Sequence, residues 1–206
     1  MRRKPNPDQR RRELCDAAIR LLADDGVKGL SHLKVDRKAG VPDGTTSFYF
    51  RTRSALLQAV AVRVSELDLK DLTAAIRSQS PPVTADEPSG LATLVMRTAT
   101  GTRLVRTKAR LELARQAVRD PLLDQALRGY SERFHALIRD AVLRLQSAKK
   151  KPDPAVADRQ AYVVMTFISG LMHAFAGGDR RIRSAAELDA FISGIVAGIG
   201  SSTALR

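Results

Sequence analysis

Apolar residues recur at three- and four-residue spacings along most of the chain, and almost nowhere do β-branched residues alternate with polar ones. That period belongs to helices, and the chain reads as all-α. The first helix is predicted over about residues 8–25, with Leu14, Ala18, Leu21 and Leu22 on one side and Gly26 as the residue that ends it. Ser31 is placed to N-cap a second helix, whose buried side is drawn from Leu33, Val35 and Ala39 and whose end is Gly40. Val41-Pro42 carries the chain round a turn, and Asp43 precedes a third helical segment, Gly44–Tyr49, too short to be stable without packing. A fourth helix begins near Arg53 and runs toward Arg77, with Leu57, Val60, Val64, Leu67 and Ile76 at helical spacing. At ~1.5 Å per residue it would be ~35 Å long.

Pro81-Pro82 closes that helix, and residues 78–90 read as a loop. Beyond it the pattern predicts a helix over about 89–100, a short one over Gly101–Arg106 and a further one reaching Arg119. Others follow over Leu122–Ser147, Ala155–Ala176 and Ala185–Gly198, with a turn at the KKKPDP segment. Ala161–Gly178 carries no formal charge, yet it holds Thr166, Ser169, His173 and three glycines, so a helix buried on several sides explains it better than a membrane span. The basic N-terminus leads into a charged helix and not into an apolar signal segment, and a cytoplasmic protein is expected.

Residues 30–57, LSHLKVDRKAGVPDGTTSFYFRTRSALL, therefore carry two short helices, a glycine-centred turn and the start of a third helix, the spacing of a helix-turn-helix. Charge points the same way. The net charge is +13, and residues 1–55 hold thirteen Lys/Arg against seven Asp/Glu, a higher density than residues 56–206 with twenty-two against fifteen. The sharpest cluster is Arg2, Arg3, Lys4, Arg10, Arg11 and Arg12, opposed only by Asp8. It reads either as a solvated tail or as an arm that follows a DNA backbone or enters a minor groove.

On Ala39-Gly40-Val41, the aromatic-bearing segment Thr45–Phe50, Arg53 and Leu56-Leu57, the chain resembles the TetR family of bacterial transcription regulators. The likeness is strong over roughly residues 8–60 and one of architecture beyond. Three positions depart from the family: Ser47 stands where it usually has tyrosine, Arg53 where it usually has lysine, and Asp43 where a basic or polar residue is common. Arg53 keeps the charge and adds a planar fork. The resemblance implies an N-terminal helix-turn-helix DNA-binding domain, residues 1–55. A long helix would join it to a helical effector-binding and dimerisation domain, residues 56–206.

On this reading Ser31, Tyr49, Arg51 and Arg53 are expected at phosphates, with Arg10 and Arg11 in the basic arm, while Thr45, Thr46 and Ser47 face base edges. The recognition segment has no Arg, Asn or Gln, so the strong bidentate base contacts are missing and heavier reliance on the basic arm and on DNA shape is expected. The last two helices hold more apolar residues than one stripe needs. Ile168, Leu171, Met172, Phe175, Phe191 and Ile195 are assigned to a homodimer interface, and a symmetric dimer would read a palindromic operator. Leu94, Leu111, Tyr130, Phe134, Met165 and Phe167 are candidates to line a small-molecule effector cavity. Glu112, Arg115, His135 or His173 would orient the ligand there.

No cofactor and no metal are expected. The chain has one cysteine, Cys15, and three histidines, at 32, 135 and 173, with no ligand spacing, no nucleophile–base pair and no phosphate loop, so an enzyme is not expected. Cys15 reads as a packing residue beside Leu14. The function expected is a transcriptional repressor released by an effector; an effector-independent or architectural DNA-binding protein, or an activator, stays open.

Overall fold

The computed structural model describes residues 6–77, 87–145 and 153–201. The described residues form helices and no strand: α1 Pro7–Gly29, α2 His32–Ala39, α3 Thr45–Tyr49, α4 Arg53–Arg77, α5 Gly90–Arg97, α6 Gly101–Ala117, α7 Pro121–Leu145, α8 Pro154–Ala176 and α9 Ala185–Ser201. The all-α expectation holds. One expected division does not, because the short helix at Gly101–Arg106 and its successor are a single α6. Neither glycine nor proline follows Gly101 until Pro121, so nothing interrupts the hydrogen-bond ladder.

Helix ends follow local chemistry. Asn6 caps α1 by accepting from the Asp8 amide at 3.1 Å, and Pro7 occupies the first turn, where a missing N–H costs nothing. Gly26 breaks α1 with φ of 68°, where the sequence placed its end, and one further turn continues to Gly29. Ser31 accepts from the Lys34 amide at 3.3 Å, and Gly40 closes α2 in the left-handed region at φ of 66°. Asp153 accepts from the amides of Ala155 and Val156 at the start of α8.

The chain packs as two compact units, one of residues 1–68 with 105–130, the other of residues 69–104 with 131–206. This packing boundary is drawn differently from the expected one at residue 55. The first unit keeps α4 through Asp68 and recruits most of α6 and the start of α7. The reason is apolar burial: Ala109, Leu113 and Leu123 lie in one core with Leu14, Leu22 and Val60, and Leu14, Leu113 and Leu123 are fully enclosed. Arg63 of α4 clamps Asp16 of α1 through two bonds, at 2.9 and 3.0 Å. Arg106 and Arg110 of α6 are not left to solvent in this unit, since they meet Asp68 of α4 at 3.3 and 2.6 Å.

The second unit is built on Leu91, Val95, Val164, Leu188 and Ile192, with Phe175 among its most enclosed side chains. Gly90 permits a close approach, as a Cβ there would stand 2.2 Å from the Ala75 carbonyl oxygen. Ser89, which caps α5, also donates its hydroxyl to Asp189 of α9 at 2.5 Å. Buried Gln160 of α8 donates to the Val196 carbonyl of α9 at 2.7 Å. Arg180 lies over the Phe175 ring and donates to the carbonyls of Phe175 and Ala99 at 2.9 and 2.8 Å. Among the described residues no helix is long and apolar enough to cross a membrane.

Cys15 is buried in the first core, and that burial, aided by the neighbouring Asp16 carboxylate, pushes its thiol from 9.0 up to about 12. The packing assignment for this residue follows, because a thiol so raised supplies little thiolate. Alkylation by iodoacetamide at pH 8 is expected to be slow in the folded protein and fast in urea, read by mass spectrometry. Rapid modification without denaturant would show the core to be open. Above pH ~9 the unfolded thiol ionises while the folded one does not, so this group's contribution to stability falls as pH rises from ~9 toward 12.

Candidate nucleic-acid interface

A five-residue helix cannot hold itself together, and α3 has no cap of its own, because Gly44, with φ of 89°, has no side chain to offer. The cap comes from α2. Asp36 is fully buried and accepts from the Gly44 amide at 2.8 Å, the Thr46 amide at 2.7 Å and the Thr46 hydroxyl at 2.5 Å. One carboxylate thus fixes the turn and the start of α3 on the helix before it, in short charge-assisted bonds. The Nε2 of His32 lies 2.8 Å from the Phe50 carbonyl oxygen and ties the other end of α3 to the start of α2.

This bracing sorts the expected DNA contacts. Thr46 is fully buried with its hydroxyl spent on Asp36, so it is corrected from a base-edge residue to part of the scaffold. Thr45 is half-buried and donates its hydroxyl to the Pro42 carbonyl at 2.6 Å. Ser47 is exposed, as expected of a reading residue. Tyr49 is half-buried, with the Arg11 guanidinium 5.5 Å from its ring centroid and equally far from that of Phe50. Arg11 is therefore part of α1 resting on the end of α3, and Arg10 of the same helix is paired with Glu13 at 2.8 Å. Both correct the idea of a free arm at those two positions; Arg2, Arg3 and Lys4 lie outside the described residues.

Arg53 also departs from its expected part. Its Nε donates to the Leu30 carbonyl at 3.2 Å and one terminal nitrogen to the Val27 carbonyl, which holds the chain leaving α1 against the start of α4. The planar fork serves backbone oxygens first. Ser31 and Arg51 are exposed, and the Ser31 hydroxyl is engaged as the α2 cap. Leu33 is exposed too, not on the buried side of α2. The residue that sequence reasoning passed over is Phe48, 72% exposed and the most prominent side chain of α3, packed edge-to-face on Tyr49 with centroids 5.2 Å apart. Its spacing from Thr46, two residues along a helix and so on a different face, was the available signal.

The effector set divides between the two units. Leu94 of α5, Phe134 of α7, and Met165 and Phe167 of α8 are half-buried against the second core. Leu111, Glu112 and Tyr130 belong to the first unit. There Glu112 accepts from the Val27 amide at 3.4 Å beside the Gly26 break and pairs with Arg115, so it is corrected to a brace for the α1 end. His135 is half-buried and His173 exposed. Of the assigned dimer residues, Ile168 and Phe175 are buried within the chain's own core, a correction, while Leu171, Met172 and Ile195 are half-buried and Phe191 is exposed. Tyr162 and Val163 are exposed as well, and a Cβ at Gly170, Gly194 or Gly198 would meet open space.

Residues 91–197 match the family model for the C-terminal domain of BetI-type transcriptional repressors, more than half of the chain. The chain belongs to the TetR family of transcriptional regulators. It is 28% identical over 183 residues to the HTH-type transcriptional regulator BetI of Burkholderia cenocepacia (strain HI2424), covering 87% of this chain and 89% of that one. The BetI of Burkholderia orbicola (strain MC0-3) matches to the same extent. Two solved structures share the fold: a putative transcriptional regulator from Pseudomonas aeruginosa PAO1, and the multidrug binding protein EbrR complexed with ethidium. The first has TM-score 0.72 and 19% identity, covering 97% of this chain and 94% of that one. The second has TM-score 0.64 and 24% identity, covering 92% and 98%. The family and these BetI relatives are regulators and not enzymes.

If Asp36 is the shared cap, Asp36→Ala strands the buried Thr46 amide and hydroxyl, at about 1–3 kcal/mol for each donor left unpaired. With two donors stranded, urea unfolding should show a loss of about 2–6 kcal/mol and an accompanying loss of DNA binding. A change within about 0.5 kcal/mol, the level of an ordinary surface substitution, would rule the bracing role out.

Proposed function

We propose that this TetR-family regulator binds a palindromic DNA operator as a homodimer, represses transcription there, and is released when a small molecule occupies its second unit. The observation that carries the reading is the braced α2–turn–α3 unit. Its turn and short helix are fixed by one buried carboxylate, and it leaves Ser47 and Phe48 exposed with Arg37 and Arg51 also exposed nearby in the chain. Rigid presentation of a short helix suits a major groove, and exposed arginines suit phosphates.

Dimerisation through α8 and α9 is supported by Tyr162, Val163 and Phe191, large apolar side chains left exposed on helices that also carry Gly170, Gly194 and Gly198 with open space around them. Half-buried Leu171, Met172 and Ile195 would complete such a face, and a two-fold axis would set the two reading heads one helical turn of DNA apart or at a related spacing. Effector binding is supported by Leu94, Phe134, Met165 and Phe167, half-buried at the margin of the second core. The fold-related EbrR is described in complexes with ethidium and with proflavin. Release needs only that the effector prefer the state with lower operator affinity. A coupling of about 1–3 kcal/mol corresponds to roughly 5–150-fold. Helices α4, α6 and α7 each contribute residues to both units, which gives such a preference a continuous backbone along which to act.

Selection from a random duplex DNA library at near-physiological salt, followed by sequencing, tests the core of this reading. A palindromic motif bound by two copies of the chain, with stoichiometry read by light scattering, is the expected result. Binding without sequence preference that vanishes as salt rises would replace it with an architectural role. Operator affinity that no screened small molecule alters would favour the effector-independent form.

A further inference from the structure

The geometry points to Phe48 as a specificity-determining residue that reads the C5 methyl group of thymine, an inference that rests on the DNA-reading function proposed above. Of the five residues of α3, Thr46 is buried, the Thr45 hydroxyl is spent on Pro42 and Tyr49 is half-buried under Arg11. Ser47 and Phe48 remain. Leaving a phenyl ring 72% exposed forgoes much of the benefit of burying it, and the edge-to-face contact with Tyr49 limits where the ring can swing.

A phenyl ring has no hydrogen-bonding atom, so it cannot read the donor and acceptor pattern of a base edge. In the major groove the one apolar mark is the thymine methyl. The charges around α2 and α3 favour a polyanion. Asp36 is buried, while Asp24 and Asp25 are paired with Lys38 and Lys34. Arg37 at the end of α2 and Arg51 just after α3 are exposed with no ion pair among the described residues, against one exposed acid in the turn, Asp43. An exposed ring on α3, with exposed arginines at the end of α2 and just after α3, fits thymine-bearing duplex DNA.

The test takes the operator recovered by selection and replaces its thymines one at a time by uracil, which removes only the methyl. At one thymine per half-site the wild-type protein should lose about fourfold in affinity per methyl, the scale of one buried methylene-sized group. Phe48→Ala should be indifferent to that substitution while keeping its sensitivity at the other thymines, and Phe48→Leu should keep part of it. The proposal is overturned if Phe48→Ala and the wild type respond alike at every thymine, or if the substitution weakens matched and scrambled duplexes equally. It is overturned as well if the ring proves to mediate concentration-dependent association that Phe48→Ala abolishes. Failure of the wild type to select any sequence would instead remove the DNA-reading function itself, at a step before any thymine is replaced.

Discussion

The buried carboxylate of Asp36 is the constraint on which the reading head depends. α3 is one and a half turns long, is preceded by a glycine at its cap position and is separated by three residues from the next helix, so neither propensity nor its own capping keeps it helical. Asp36 answers the orphan amides of one helix from the side chain of another. Because no cation among the described residues pairs with it, its burial is offset by three converging donors, and the geometry of those donors fixes where α3 lies on α2. His32 and Arg11 act on the far end, so a segment of five residues is held at both termini by side chains from α1 and α2.

Much of this was legible in the sequence because it is written in local chemistry. Ser31, Gly26, Gly40 and the pattern of Leu14, Leu22, Val60 and Val64 act within a few residues of where they stand, and the helices they announce are present. What was not legible acts across longer separations. Asp36 and Thr46 are ten residues apart, Arg53 and Val27 twenty-six, Glu112 and Val27 eighty-five. A threonine on a recognition helix reads as a base contact until its partner is known. The signal available for Asp36 was indirect: a very short helix opening on glycine needs an acceptor from elsewhere.

The apolar excess of the last two helices illustrates a related limit. Hydrophobic periodicity counts how many side chains leave water and not what they meet. Ile168 and Phe175 meet the chain's own core, where Phe175 also carries Arg180 on its face, whereas Tyr162, Val163 and Phe191 stay exposed. Arginines show the same ambiguity. Arg106 and Arg110 on α6 are answered by Asp68 on α4, and Arg53 binds backbone oxygens, so formal charge overstates what is left for a polyanion.

The first unit's core is closed by Leu113 and Leu123, which arrive more than forty residues after Asp68 ends its N-terminal stretch. During synthesis, at about 5–20 residues per second, the reading head therefore emerges seconds before the side chains that seal it. Its apolar faces must wait, and the intervening stretch of the second unit is made in that interval. A chain stopped at residue 68 would carry the full helix-turn-helix motif and still present the site that Leu113 and Leu123 fill to the solvent. For this protein the boundary of the motif is not the boundary of the core that encloses it.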